Sequence, residues 1–164
     1  MSVLNIVKYP ADILLQVAEE IIGTEELYQC QPLIRDMIET MRQAQGRGLA
    51  APQVGVSKRI IVYYDDSDKV DILINPVVIE STGKITSYRE GCLSIPNIRR
   101  DIKRARVVVV EGLNVISNLV KVKPEHLAVS IALQHEIDHL NGITILTGKR
   151  KLRYGVKIHN RQGG

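Results

Sequence analysis

Pro124-Glu125-His126-Leu127-Ala128-Val129-Ser130-Ile131-Ala132-Leu133-Gln134-His135-Glu136-Ile137-Asp138-His139-Leu140-Asn141-Gly142 decides the fold. Proline suits a first helical turn because it lacks the N–H that would go unpaired there. Glu125 suits the positive end of the helix dipole, and Gly142 after Asn141 is a stop. The spacing predicts a helix from Pro124 whose apolar face includes Leu127, Ala128, Ile131 and Ala132. Continuing from Ile131 in steps of four reaches His135 and His139, which puts both rings on one inward stripe.

Upstream of this helix the pattern is that of strands. Ile60 to Tyr64, Val70 to Glu80, Lys84 to Tyr88, Arg106 to Glu111 and Asn118 to Val122 are short β-branched runs. Turn residues separate them: Asp65-Asp66-Ser67-Asp68, Ser81-Thr82-Gly83 and Ser117-Asn118. Connections this short predict antiparallel pairing. The aspartates lack the full spacing of a calcium loop and read as a solvated turn.

Still earlier, Leu27, Cys30, Leu33, Ile34, Met37, Ile38, Met41 and Ala44 recur at threes and fours, which predicts an amphipathic helix over Glu25 to Gln45, stopped by Gly46 and Gly48. Cys30 falls on its apolar stripe, where an inert buried thiol is expected. The expected fold is therefore α+β, with antiparallel strands packed around a central metal-binding helix and an amphipathic helix towards the N-terminus.

Composition narrows the function classes. The 164 residues suit one domain, and 45% hydrophobic with 24% charged excludes the profile of a disordered chain. With six Tyr and no Phe or Trp, base-stacking platforms are not expected, and neither DNA nor a membrane is an expected partner. The opening Met1-Ser2-Val3-Leu4-Asn5-Ile6-Val7 has no signal-peptide pattern, which points to the cytoplasm. Two cysteines cannot make a disulfide framework. The net charge of +4 is concentrated in a short tail at 148–164 carrying Lys149, Arg150, Lys151, Arg153, Lys157 and Arg161. That tail reads either as a solvated terminus or as a transient contact for an anionic surface such as ribosomal RNA.

Two histidines are too few for a catalytic divalent site, which takes three protein ligands and keeps a position for water. Cys92, in Glu90-Gly91-Cys92-Leu93-Ser94-Ile95-Pro96, is the best third ligand, since glycine-flanked extended backbone can present its thiol. Three segments together resemble the signature motifs of the peptide deformylase family: Gly46-Arg47-Gly48-Leu49-Ala50-Ala51-Pro52-Gln53, Glu90-Gly91-Cys92-Leu93-Ser94, and Gln134-His135-Glu136-Ile137-Asp138-His139. The start, Val3-Leu4-Asn5-Ile6-Val7-Lys8-Tyr9-Pro10, resembles that of the family too, so the likeness spans roughly residues 3 to 147.

The resemblance implies a hydrolase that removes the formyl group from the initiator methionine of nascent peptides and releases formate. It implies Cys92, His135 and His139 as ligands of one divalent ion, characteristically Fe2+, with Zn2+, Ni2+ or Co2+ able to take the same place. It gives Glu136 the proton transfers, and Gln53 with the backbone N–H of Leu93 the stabilisation of the oxyanion. Glu90 and Arg104 match a buried pair bracing the cysteine loop, and Glu90 also borders the expected substrate site. Gly48, Ile131 and Ala132, with Ala128, are expected around the methionine and its backbone, or else in the core. Arg47 stands where the family usually has an apolar residue, so the resemblance does not fix the rim of the methionine pocket. Two rivals share some features: a zinc endopeptidase with the same helix motif, and a basic RNA-associated protein with a structural metal, for which His126 or His159 would have to be a fourth ligand.

Overall fold

The computed structural model describes residues 2–147; the tail at 148–164 lies outside the described residues. A five-stranded antiparallel sheet has the order β1-β2-β3-β4-β5, comprising β1 (Gly48–Ala50), β2 (Ile60–Tyr64), β3 (Val70–Cys92), β4 (Ile95–Leu113) and β5 (Leu119–Val122). Every neighbouring pair is antiparallel, as the short connections predict.

Helices cover both faces of the sheet. α1 (Gly23–Gln29) and α2 (Gln31–Gln43) lie on one side, and α3 (Leu127–Leu140) on the other. β2 shows why: Ile60, Ile61, Val62 and Tyr63 are all fully buried, and alternate residues join opposite cores. Ile60 and Val62 pack with Ile34, Met37 and Met41, whereas Ile61 and Tyr63 pack with Val129, Leu133, Ile137 and Leu140. The α+β expectation, with strands around one helix, matches this arrangement.

Three local expectations are corrected. The helix expected over Glu25 to Gln45 is two helices meeting at Cys30, with Pro32 in the first turn of α2. Proline has no N–H to continue the ladder from α1, so the chain restarts there. Ser81-Thr82-Gly83 is not a turn: Ser81 pairs with Val108 and Thr82 with Val107 inside one long hairpin. A β-branched partner strand outweighs local turn chemistry, and Gly83 fits the ladder at a φ of +68°. The last helix begins at Leu127 rather than Pro124, because Asp66 accepts the N–H groups of Glu125 and His126 at 2.8 and 3.0 Å and holds them ahead of the first turn. Gly142, at a φ of +70°, does follow its end.

Arg59 fixes the far end of α3. Its guanidinium donates to Leu140 O at 2.9 Å, Asn141 Oδ1 at 3.1 Å and Pro76 O at 3.4 Å, tying helix to sheet. Among the described residues, no helix is long and apolar enough to cross a membrane.

Candidate metal centre

β3 and β4 form a hairpin whose two-residue turn is Leu93-Ser94, with Cys92 opposite Ile95. Glu90 and Cys92 are two residues apart on β3 and therefore share a face, which here is turned towards α3. On α3, His135 and His139 are one turn apart, so their rings meet edge to face with centroids 4.9 Å apart.

The sulfur of Cys92 lies 3.2 Å from His139 Nε2, which lies 3.2 Å from His135 Nε2. One ligand atom from each residue falls within 4.8 Å of the others. A tetrahedral ion at ordinary bond lengths would hold such atoms roughly 3.3–3.6 Å apart, so the set fits one divalent cation. His126, by contrast, is exposed near Asp66 and takes no part in the group, and His159 lies outside the described residues.

Electrostatics sorts the two rings. Burial lowers His135, but its hydrogen bonds with Cys92 and Glu90 outweigh that and raise it to about 10. Burial pushes His139 well below the usual range, and positive His135 and Arg104 add to the effect. His139 is thus held as the neutral ring that ligation requires, while on His135 an ion must displace a proton. Burial also raises Glu136, to about 7, against the opposing pull of His135 and Arg104. Its Oε2 and the Nδ1 of His139 are buried without a hydrogen-bond partner among the described residues. An unpaired carboxylate oxygen one residue past a ligand is suited to take a proton from water.

Gln53 is 1% exposed, at the end of the short 3-10 turn after β1. Ala50 N–H donates to its Oε1 at 2.9 Å, which fixes the amide so that Nε2 faces Cys92 Sγ at 3.7 Å and Ser94 Oγ at 3.4 Å. Glu90 is gripped by Arg104 through Nε to Oε1 at 2.9 Å and Nη2 to Oε2 at 2.8 Å, and His135 Nδ1 lies 3.1 Å from the same Oε2. Burial raises the Glu90 carboxyl, but Arg104 and His135 outweigh it and bring it down to about 2. Both oxygens being taken, the geometry supports bracing rather than substrate contact for Glu90.

A cleft of about 810 Å³ opens over this group, lined by Gly48, Gln53, Glu90, Cys92, Leu93, His135 and Glu136. Ala128, Ile131 and Ala132 also line it; the core-facing stripe of α3 is instead Val129, Leu133, Ile137 and Leu140. The tight neighbour of Gly48 is Glu136: a Cβ on Gly48 would fall 2.6 Å from Glu136 Oε1. Another groove, of about 690 Å³, lies behind α3 against Arg59, Val78 and Ile137, away from Cys92 and His135.

Sequence reasoning passed over Asp138, which receives Arg104 Nη1 and so completes a chain Asp138–Arg104–Glu90–His135. Its place between the two histidines was the available signal. Lys8 and Arg99, both exposed, also line the cleft and were not expected there. Arg47 is exposed and lines the cleft, and its guanidinium pairs with Asp68 at 2.9 Å and lies over the Tyr64 ring at 5.5 Å.

An antiparallel α+β fold in which a buried helix offers two histidines and a glutamate to a hairpin-borne cysteine defines a hydrolase with a candidate mononuclear metal site. Residues 3–153 match the family model described as Polypeptide deformylase. A peptide deformylase of Desulfosudis oleivorans is 42% identical over 169 residues, covering 98% of this chain and 95% of that protein. Among solved structures, the peptide deformylase of Ehrlichia chaffeensis in complex with actinonin matches with a TM-score of 0.84 at 36% identity, covering 92% of this chain and 91% of that one. The enzyme of a Vibrio parahaemolyticus bacteriophage, also in complex with actinonin, matches at 0.79 and 40% identity, over 87% of this chain and 100% of that one. The chain belongs to the polypeptide deformylase family and is a hydrolase.

Proposed function

We propose that this enzyme hydrolyses the formyl amide on the initiator methionine of newly synthesised polypeptides in the cytoplasm, using one divalent ion, natively Fe2+, held by Cys92, His135 and His139. The observation that carries the reading is the convergence of those three ligand atoms within 4.8 Å, beside Glu136 and the Gln53 amide, in a member of this family.

When bound, the ion would polarise a water and bring its pKa towards neutrality. Glu136, one residue from His135 and with a carboxylate oxygen unpaired, is placed to take the proton of a water at the formyl carbon. Gln53 Nε2 and the N–H of Leu93 are the donors for the oxygen that becomes negative, and the Ala50 contact keeps the Gln53 amide turned the right way. Glu136 then gives its proton to the leaving amine, so that formate and a free methionine terminus result. Ala128, Ile131 and Ala132 form an apolar wall beside the histidines, suited to an unbranched side chain.

The test is to purify the protein without oxygen, load it with iron or nickel, and offer formyl-Met-Ala and an internal peptide. Stoichiometric formate with a new amine from the first alone is expected. Cleavage of the internal peptide, or no formate, would overturn the reading.

A further inference from the structure

We propose that Arg47 is a specificity-determining residue, making the mouth of the cleft select for acidic side chains in the two residues that follow the formylated methionine; this rests on the substrate class proposed above.

The walls of the cleft carry charge in two zones. At the solvent-facing rim stand Lys8, Arg47 and Arg99, all exposed. The acids that line the cleft, Glu90 and Glu136, are buried at 9% and 4% exposure, and Glu90 is already gripped by Arg104. A peptide entering from solvent therefore meets cations first, which favours acidic chains through local concentration and orientation. Arg99 lies across Gly91, next to Cys92, and Lys8 Nζ donates to Leu93 O at 2.8 Å, so the positive rim is tied to the turn that carries the sulfur.

Arg47 immediately precedes β1, an edge strand that pairs only with β2 within the sheet. An extended peptide laid along the free edge of β1 would pass Gly48, which touches Glu136, and reach the level of Arg47 at about 3.3 Å per residue. Arg47 neighbours Gly48 in the chain, so it would stand beside the residues that follow the methionine. Its present partners, Asp68 and the Tyr64 ring at 5.5 Å, are not walls of the cleft, and the Arg47 and Asp68 side chains are 56% and 77% exposed. An ion pair so open to water holds the guanidinium weakly enough for a substrate carboxylate to recruit it.

The experiment compares formyl-Met-Ala-Ala-Ala with peptides carrying Glu or Lys at the second or third position, at low ionic strength and in about 0.5 M salt. The iron- or nickel-loaded enzyme should favour Glu over Lys by about 3- to 10-fold in kcat/KM, mainly through KM, and salt should shrink the ratio. R47E, checked for folding by circular dichroism, should shift the preference towards Lys; R99E should weaken it without that reversal. If the alanine peptide is deformylated but Glu and Lys peptides are processed alike, or if R47E leaves their ratio unchanged, the inference is wrong while deformylation stands. If the alanine peptide itself yields no formate, the underlying substrate assignment fails first.

Discussion

Arg104 holds Glu90 by two parallel hydrogen bonds, and the oxygen it grips at 2.8 Å is the one that lies 3.1 Å from His135 Nδ1. The arrangement fixes which way the His135 ring faces, because Nδ1 is engaged and Nε2 is left to face His139 and Cys92. Glu90→Ala should therefore weaken metal binding by about 10- to 100-fold, the usual cost of losing a partner behind a metal ligand. Competition with a chelator, read by metal analysis, measures this; unchanged iron occupancy would refute it.

The same carboxylate sets an acid limit. Its folded pKa, about 2, lies below the ordinary 4.5, so it contributes stability fully present above 4.5 and lost as pH falls towards 2. The size is about 3 kcal/mol. Urea unfolding of metal-free protein at pH 5 and pH 3 should show stability falling on acidification, and Glu90→Gln should flatten that fall. An equal slope in the variant would show that another acid is responsible.

Gln53→Ala should keep the metal but lower kcat by about 10²- to 10³-fold, the cost of one preorganised oxyanion donor. Metal content and steady-state kinetics on the same preparation separate this from loss of the site. A change confined to KM would count against the role.

Gly48→Ala should damage catalysis without unfolding the protein. The added methyl group would meet Glu136 Oε1 and Cγ at 2.6 and 2.7 Å, so the carboxylate must move. Displacing a reacting group by about 1 Å costs on the order of 10² in rate. Full activity in this variant would mean that Glu136 does not act from its observed position.

Glu136→Gln should retain metal and lose about 10²- to 10⁴-fold in kcat, as expected when a positioned proton carrier is removed. Formate release by metal-matched samples decides it.

Much of the site was legible because its chemistry is carried by rare residue types at fixed spacing. His135 and His139 sit four apart on a helix, and Cys92 follows Gly91 and directly precedes the Leu93-Ser94 hairpin turn. The strand at Ile60–Tyr64 was readable for the same reason: a run of β-branched and aromatic residues has few other uses. What stayed hidden depends on partners distant in sequence. Nothing local distinguishes Ser81-Thr82-Gly83 from a turn until Val107 and Val108 pair with it. The start of the last helix was displaced by Asp66, some sixty residues away. Asp138 was given no role in the sequence, and its contact with Arg104 arises only when β4 packs on α3.

The long hairpin behaves as a ruler for the cysteine. Side chains alternate between faces along a strand, so losing one residue from an arm would swing the Cys92 sulfur to the opposite side of the sheet and strand the two histidines. The native ladder already contains irregularities between Ser87 and Glu90 and between Glu90 and Cys92, and these set the phase in which the thiol arrives. Length changes should thus be tolerated in the turn at Asn114–Asn118, beyond the hairpin's open end, and within the arms only when compensated to restore parity.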